Sequence, residues 1–190
     1  MDPKPLLILD LDETLIHATA DKIGDNFDFS VYQYFVYLWP GLAAFLAQCA
    51  AHFQLAVWSS ASDNYVQAIA QHIFPAGIAP VFVWGRSRCT RFRLPEVDEH
   101  GILSLDYASK YEFAKRLKKV SRRGFNLKRV LIVDDTPEKV SQHYGNAIYI
   151  RPFTGSKDDT ELGRLASYLS KLKDAENFRT IEKRNWRQQS

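Results

Sequence analysis

The sequence predicts an α/β fold, a doubly wound parallel sheet with helices on both faces. Three observations carry that expectation. Short aliphatic runs of the buried-strand type recur along the 190 residues, at 6–10, 55–58, 81–84, 130–133 and 147–150. Between them lie stretches whose apolar residues repeat every three and four positions, the period of a helix. Two of the runs end in acids, Asp10 with Asp12 and Asp134 with Asp135. An open α/β sheet gathers polar groups of this kind at the carboxyl edge of its strands.

Taken in order, Leu-Leu-Ile-Leu-Asp at 6–10 is the first strand. Residues 16–39 read as a β-hairpin flap. Gly24, Asp25 and Asn26 suit its turn, and the β-branched and aromatic run at 29–38 suits a strand. Pro40-Gly41 stops that strand, and a helix over 41–52 sets Leu42, Phe45, Leu46 and Cys49 on one face. The strand at 55–58 ends in Ser59-Ser60. A helix over 62–73 follows, capped by Ser62 or Asp63, with Val66, Ile69, Ala70 and Ile73 inward. After the strand at 81–84, residues 85–108 are rich in Arg and read as a small insertion with a strand or two. A helix is expected over 109–121, with Phe113, Leu117 and Val120 on one face. The strand at 130–133, a short helix from Pro137, the strand at 147–150 and a helix over 159–172 complete the alternation. One domain over 1–175 is therefore expected, with 176–190 as a charged tail that is docked through Trp186 or frayed.

Composition narrows the function classes. No apolar run reaches the 18 or so residues of a membrane span, and only four aliphatics precede the first acid of the strand, too few for a secretory signal. Cys49 and Cys89 form neither a disulfide framework nor a metal-ligand spacing, so a reduced, cytoplasmic setting is expected. The net charge of +3 is uneven. Residues 115–129 hold eight basic residues and no acid, and Arg86, Arg88, Arg91 and Arg93 form a second cluster. A solvated helix face and a surface for anionic partners, phosphopeptide or nucleic acid, both remain open readings.

The acids carry the chemistry. Crowded carboxylates repel one another and raise each other's pKa, so they persist where a cation or a reaction requires them. Helix capping by the acids is the bland alternative, and Asp134-Asp135-Thr136 before Pro137 also suits a cap. Asp10-Leu11-Asp12-Glu13-Thr14-Leu15 resembles the first signature of the haloacid dehalogenase (HAD) superfamily. Within it the chain is most similar to the FCP/SCP-like protein phosphatases, which act on the polymerase C-terminal domain. Val57-Trp58-Ser59-Ser60-Ala61 resembles the second motif of that branch, Lys115 to Val120 the third and Val133 to Pro137 the fourth.

That resemblance implies a Mg²⁺-dependent phosphomonoesterase. Asp10 would be the nucleophile that forms an aspartyl-phosphate, and Asp12 the acid and base. Thr14 would hold the loop, Ser59 would donate to a phosphoryl oxygen, and Lys115 would neutralise developing charge. Asp10, Asp135 and the Asp12 carbonyl would ligate Mg²⁺, and Asp134 would ligate it or orient its water. Lys110 competes with Lys115 for the third motif, and His17 reads as structural. The implied substrate is a phosphoserine or phosphothreonine protein. A phosphatase for metabolites or nucleic-acid ends, with the stretch at 115–129 as contact, is the first alternative, and a non-catalytic binding module the second.

Overall fold

The structure, a computed structural model, describes residues 4–93, 96–97, 103–104 and 111–189. Five parallel strands form its central sheet. They are β1 (Leu6–Leu9), β5 (Gln54–Trp58), β6 (Val83–Trp84), β11 (Val130–Asp134) and β12 (Ala147–Tyr149), in the spatial order β12-β11-β1-β5-β6. The chain moves outward from β1 in one direction through β5 and β6, then returns to β1's other side for β11 and β12. The order therefore reverses between β1 and β11, and a sheet of this type opens a crevice at that point.

The pleat sorts the aliphatic runs onto two faces. Leu7, Leu9, Leu55, Val57, Leu131 and Val133 meet α1 (Leu42–His52), α2 (Asp63–Ile73) and α5 (Glu161–Leu172). Their neighbours Leu6, Ile8, Ala56, Trp58, Val130 and Ile132 face the shorter α3 (Lys118–Ser121) and α4 (Pro137–Val140). Helices thus flank both faces, but the long ones all lie on one. Every residue of β1 is at most 1% exposed. A buried Leu or Ile contributes about 1.5–3 kcal/mol, which makes this strand the rigid floor of whatever its tip carries.

Three expectations change. The run at 29–38 is two strands, β3 (Phe29–Val31) and β4 (Tyr34–Leu38), and with β2 (Ile16–Thr19) they make a three-stranded antiparallel flap rather than a hairpin. The turn between them rests on Tyr32, whose φ of 53° lies in the left-handed region, and no Gly or Asn announces it. The strand expected at 81–84 is regular only over Val83–Trp84, although Val81 N–H donates to Leu55 O at 2.7 Å and Phe82 O accepts from Val57 N–H at 3.0 Å. The helix expected over 109–121 is the largest correction. Tyr111–Ala114 is strand β10, antiparallel to β7 (Thr90–Arg93), and the helix begins only at Lys118. Phe113 and Leu117 do lie against one core, but from a strand and the turn after it. Their spacing imitated a helical face. Lys110 lies outside the described residues. Within the stretch expected as an insertion, β8 (Glu96–Val97) pairs with β9 (Leu103–Ser104).

The charged tail docks. Phe178 and Trp186 are buried in the larger core, and the Trp186 indole donates to the Tyr149 carbonyl at 2.9 Å. It is held in short 3-10 turns at Phe178–Thr180 and Trp186–Gln188.

Candidate active site

The site grows from the crevice between β1 and β11. Asp10 N–H donates to the Val133 carbonyl at 3.1 Å, so the parallel ladder carries one residue past β1 and fixes Asp10 at the mouth. The chain then turns sharply. Thr14 and Leu15 N–H both return to the Leu11 carbonyl, at 3.1 and 2.8 Å. Glu13 sits at a φ of 57°, which is costly for a residue with a Cβ. It persists because it is tied on every side. Its N–H donates to Ile16 O at 2.8 Å, its carbonyl accepts from Phe153 N–H at 2.9 Å, and its carboxylate meets His17 Nδ1 at 2.8 Å. His17 therefore braces the loop, as a structural residue would.

Lys115 lies at the centre of the charge balance. It follows β10 directly and is 1% exposed, with Nζ 2.8 Å from Asp10 Oδ1 and 2.6 Å from Asp134 Oδ2. Burial alone would push its pKa down, but the two carboxylates outweigh burial and hold the ammonium charged well above the usual lysine range. Burial drives Asp134 the other way, up to about 6, even though Lys115 pulls it down. The second Asp134 oxygen accepts the Thr136 N–H at 2.9 Å, so both of its oxygens are engaged.

A second group forms around Asp12. Tyr65, on the first turn of α2, donates its hydroxyl to Asp12 Oδ1 at 2.6 Å, and Ser59 Oγ lies 3.4 Å from Oδ2. Ser59 is buried at the end of β5 and accepts the Ala61 N–H at 3.1 Å. Burial raises the Asp12 pKa, the Tyr65 bond lowers it, and nearby Asp10 raises it again; the net shift is upward. A carboxyl held above its ordinary range can keep a proton to donate. Above this group opens a cleft of about 540 Å³, lined by Asp12, Tyr32, Tyr34, Ala61, Tyr65 and Arg86 among others.

Carboxylate oxygens of Asp10, Asp134 and Asp135 all lie within 4.8 Å of one another. Asp10 Oδ1, though close to Lys115, is a buried oxygen with no aligned hydrogen-bond donor. Asp135 accepts from Thr136 Oγ1 at 3.2 Å and from the buried Thr14 hydroxyl at 3.5 Å, the outer limit of such a bond. A donor set made only of carboxylate oxygens, gathered at one crevice, fits a hard divalent cation such as Mg²⁺. The Asp12 carboxylate is not in this group, since it faces Ser59 and Tyr65.

The structure thus gathers Asp10, Asp12, Thr14, Ser59, Lys115, Asp134 and Asp135 around one crevice. It adds two that the sequence reading missed. Tyr65 falls within the helix expected over 62–73, and only its place six residues after Ser59 hints at Asp12. Lys139 lowers the carboxyl pKa of Asp12, Asp134 and Asp135, and its carbonyl accepts the Lys115 N–H at 2.7 Å.

An α/β domain with an acid cluster and a buried lysine at its switch point defines a class, and comparison with known proteins narrows it. The family model of the NLI interacting factor-like phosphatases matches residues 5–179, and the chain belongs to that family. It is 25% identical over 185 residues to the human carboxy-terminal domain RNA polymerase II polypeptide A small phosphatase 1, covering 94% of this chain and 63% of that protein. A probable C-terminal domain small phosphatase of Dictyostelium discoideum is 29% identical over 189 residues, covering 94% of this chain and 55% of the relative. The chain therefore spans a little over half the length of these relatives. The solved structure of Fcp1, described as an essential RNA polymerase II CTD phosphatase, superposes with a TM-score of 0.63 at 19% identity, over 90% of this chain and 62% of that one. The fold is HAD-like. Among the described residues no helix is long and apolar enough to cross a membrane.

Proposed function

We propose that this chain is a Mg²⁺-dependent phosphomonoesterase that works through an aspartyl-phosphate and acts on phosphoserine or phosphothreonine in proteins. The observation that carries the reading is the bridge from Lys115 Nζ to Asp10 and Asp134, beside an acid cluster at the switch point. Asp10 attacks phosphorus from the strand tip as the bond to the leaving oxygen breaks, and Asp12 hands that oxygen its proton. Asp12 then takes a proton from water as the water attacks the same phosphorus. Inorganic phosphate leaves and Asp10 is restored. Tyr65 and Ser59 hold the Asp12 carboxyl in place through both steps. Lys115 stays charged and meets the negative charge that builds on the phosphoryl group.

Asp10, Asp135 and the Asp12 carbonyl would hold Mg²⁺, which offsets the repulsion between a carboxylate and a phosphate dianion. Asp134, with both oxygens engaged, positions Lys115. The open cleft beside Asp12 suits a side chain presented on a polypeptide, and the names of the relatives point to a protein substrate. A reducing, cytoplasmic compartment fits Cys49, a free thiol whose pKa burial pushes up to about 12.

The test compares wild type with Asp10→Asn on para-nitrophenyl phosphate, phosphoserine and phosphothreonine peptides, and nucleotides. Wild type should turn over the first three substrates, stop with EDTA and recover with Mg²⁺. The variant should keep its fold and lose at least about 10³-fold in kcat, as removal of a nucleophile does. Activity surviving in Asp10→Asn would refute the nucleophile assignment, and a preference for nucleotides would refute the protein substrate.

A further inference from the structure

Beside the active-site cleft lies a second one of about 600 Å³, lined by Trp84, Ser87, Arg88, Lys119, Arg122 and Arg123. It holds four cations and no acid. Among the described residues no carboxylate pairs with Arg88, Lys119, Arg122 or Arg123. The arginines are set rather than loose. The Arg88 guanidinium lies 5.6 Å from the Trp84 ring centre, and Arg123 lies 5.4 Å from that of Phe82 and 5.7 Å from that of Trp84. A guanidinium held over an aromatic ring by cation–π attraction spends no carboxylate on its charge and can still donate to an incoming carboxylate or phosphate. Lys119 donates to the Arg88 and Cys89 carbonyls at 2.7 and 3.1 Å, which ties α3 to the turn that carries Arg88.

That turn, Arg86–Arg88, joins the two clefts. Arg86 lines the cleft of Asp12, and Arg88 lines the second. Its position is fixed: Ser87 donates to Asp63 at the start of α2, at 2.7 Å from Oγ, and Arg86 Nε donates to Ser60 O at 2.8 Å. Gly85 makes the approach possible, since a Cβ there would fall 2.7 Å from the Asp63 backbone. Arg86 and Arg88 stand two residues apart on one short turn, so a polypeptide leaving the first cleft past Arg86 runs toward the second.

We propose that this second cleft is a docking site for an anionic group on the same substrate polypeptide, an acidic side chain or a further phosphate next to the one removed. The proposal rests on the phosphoprotein reading above and names its substrate class: acidic or multiply phosphorylated segments. Like charges gathered without a carboxylate counter-ion repel one another, and an incoming anion relieves that repulsion while it is steered to the site.

The experiment uses phosphoserine peptides with neutral flanks, with Asp or Glu on either side, or with a second phosphoserine, and a 5′-phosphorylated oligonucleotide. Wild type is compared with Arg122→Ala/Arg123→Ala for kcat, KM and directly measured Kd, with thermal unfolding as the folding check and para-nitrophenyl phosphate as the small substrate. Wild type should favour the acidic or doubly phosphorylated peptide by about tenfold in kcat/KM, a preference that weakens with salt. The double variant should lose that preference through KM, with kcat and para-nitrophenyl phosphate turnover unchanged. Equal turnover of neutral and acidic peptides by wild type would overturn the proposal. So would equal losses on both in the variant, or an effect confined to the oligonucleotide. Absence of any turnover by wild type would defeat the phosphatase reading alone, because the Kd comparison still decides whether the cleft selects anionic polypeptide.

Discussion

The centre at the tips of β1 and β11 and the cleft around Trp84 treat charge in opposite ways. At the first, Asp10, Asp134 and Lys115 are each at most 1% exposed, and Lys115 Nζ meets both carboxylates within 2.8 Å. At the second, Arg88, Arg122 and Arg123 face solvent, Arg88 and Arg123 over aromatic rings, and Lys119 donates to backbone carbonyls. The difference follows from the cost of burial. An ion withdrawn from water needs its counter-ion in place before any substrate arrives, whereas an exposed one is already satisfied by water. The buried centre is thus assembled by folding itself, and the exposed cleft is completed only by a ligand.

The sharpest way to break this comparison is to remove the counter-ion. Lys115→Met should destabilise the fold by about 3–5 kcal/mol, because Asp10 and Asp134 are left buried without a cation. It should also lower kcat by about 10²-fold or more. Thermal unfolding with and without Mg²⁺ reads the cause, since a divalent ion among the same carboxylates should return part of the lost stability. A variant as stable as wild type would show that the centre is less tightly balanced than its geometry indicates. A smaller effect is expected at the edge of the centre. Tyr65→Phe removes the donor to Asp12 but leaves the ring against Tyr34, 5.7 Å away. Turnover of para-nitrophenyl phosphate should fall about tenfold with little change in stability. Unchanged kcat would mean that Ser59 alone orients Asp12.

Legibility in the sequence divides along the same line. Asp10 and Asp134 could be read because a run of Leu, Ile and Val has no structural use for an acid at its end. Lys115 could be read only through the motif it resembles, since in composition it is one basic residue among eight in its stretch. Tyr65 could not be read, because its role rests on a contact with a residue 53 positions away. The basic clusters at 86–93 and 115–129 were visible as charge, but their convergence was not. Strand β10 and the bond from Lys119 to Arg88 bring them together, and that strand lay inside a stretch with helical spacing. The flap was misread for a related reason. Tyr32 turns the chain with a left-handed φ, and a residue that carries a Cβ does not announce such a turn.

Glu161 tests whether burial with pairing stabilises where no chemistry is at stake. It opens α5, is 1% exposed and is held by the Arg151 guanidinium at 3.0 Å and by Arg187 Nε at 2.9 Å. Burial pushes its pKa up, but the bonds from Arg187 and Arg151 outweigh burial and leave the carboxyl below its ordinary range. A group whose pKa is lower in the folded state binds its proton more readily when unfolded. Its contribution is therefore complete above the unfolded value near pH 4.3 and fades as pH falls through the folded one. Glu161→Gln should cost about 1–2 kcal/mol at neutral pH, a modest figure because both arginines reach solvent. The gap between variant and wild type should stay constant from about pH 6 to 8 and close below about pH 4. Urea unfolding of both proteins across that range measures it. A gap that persisted in acid would assign the loss to packing at the start of α5 rather than to charge.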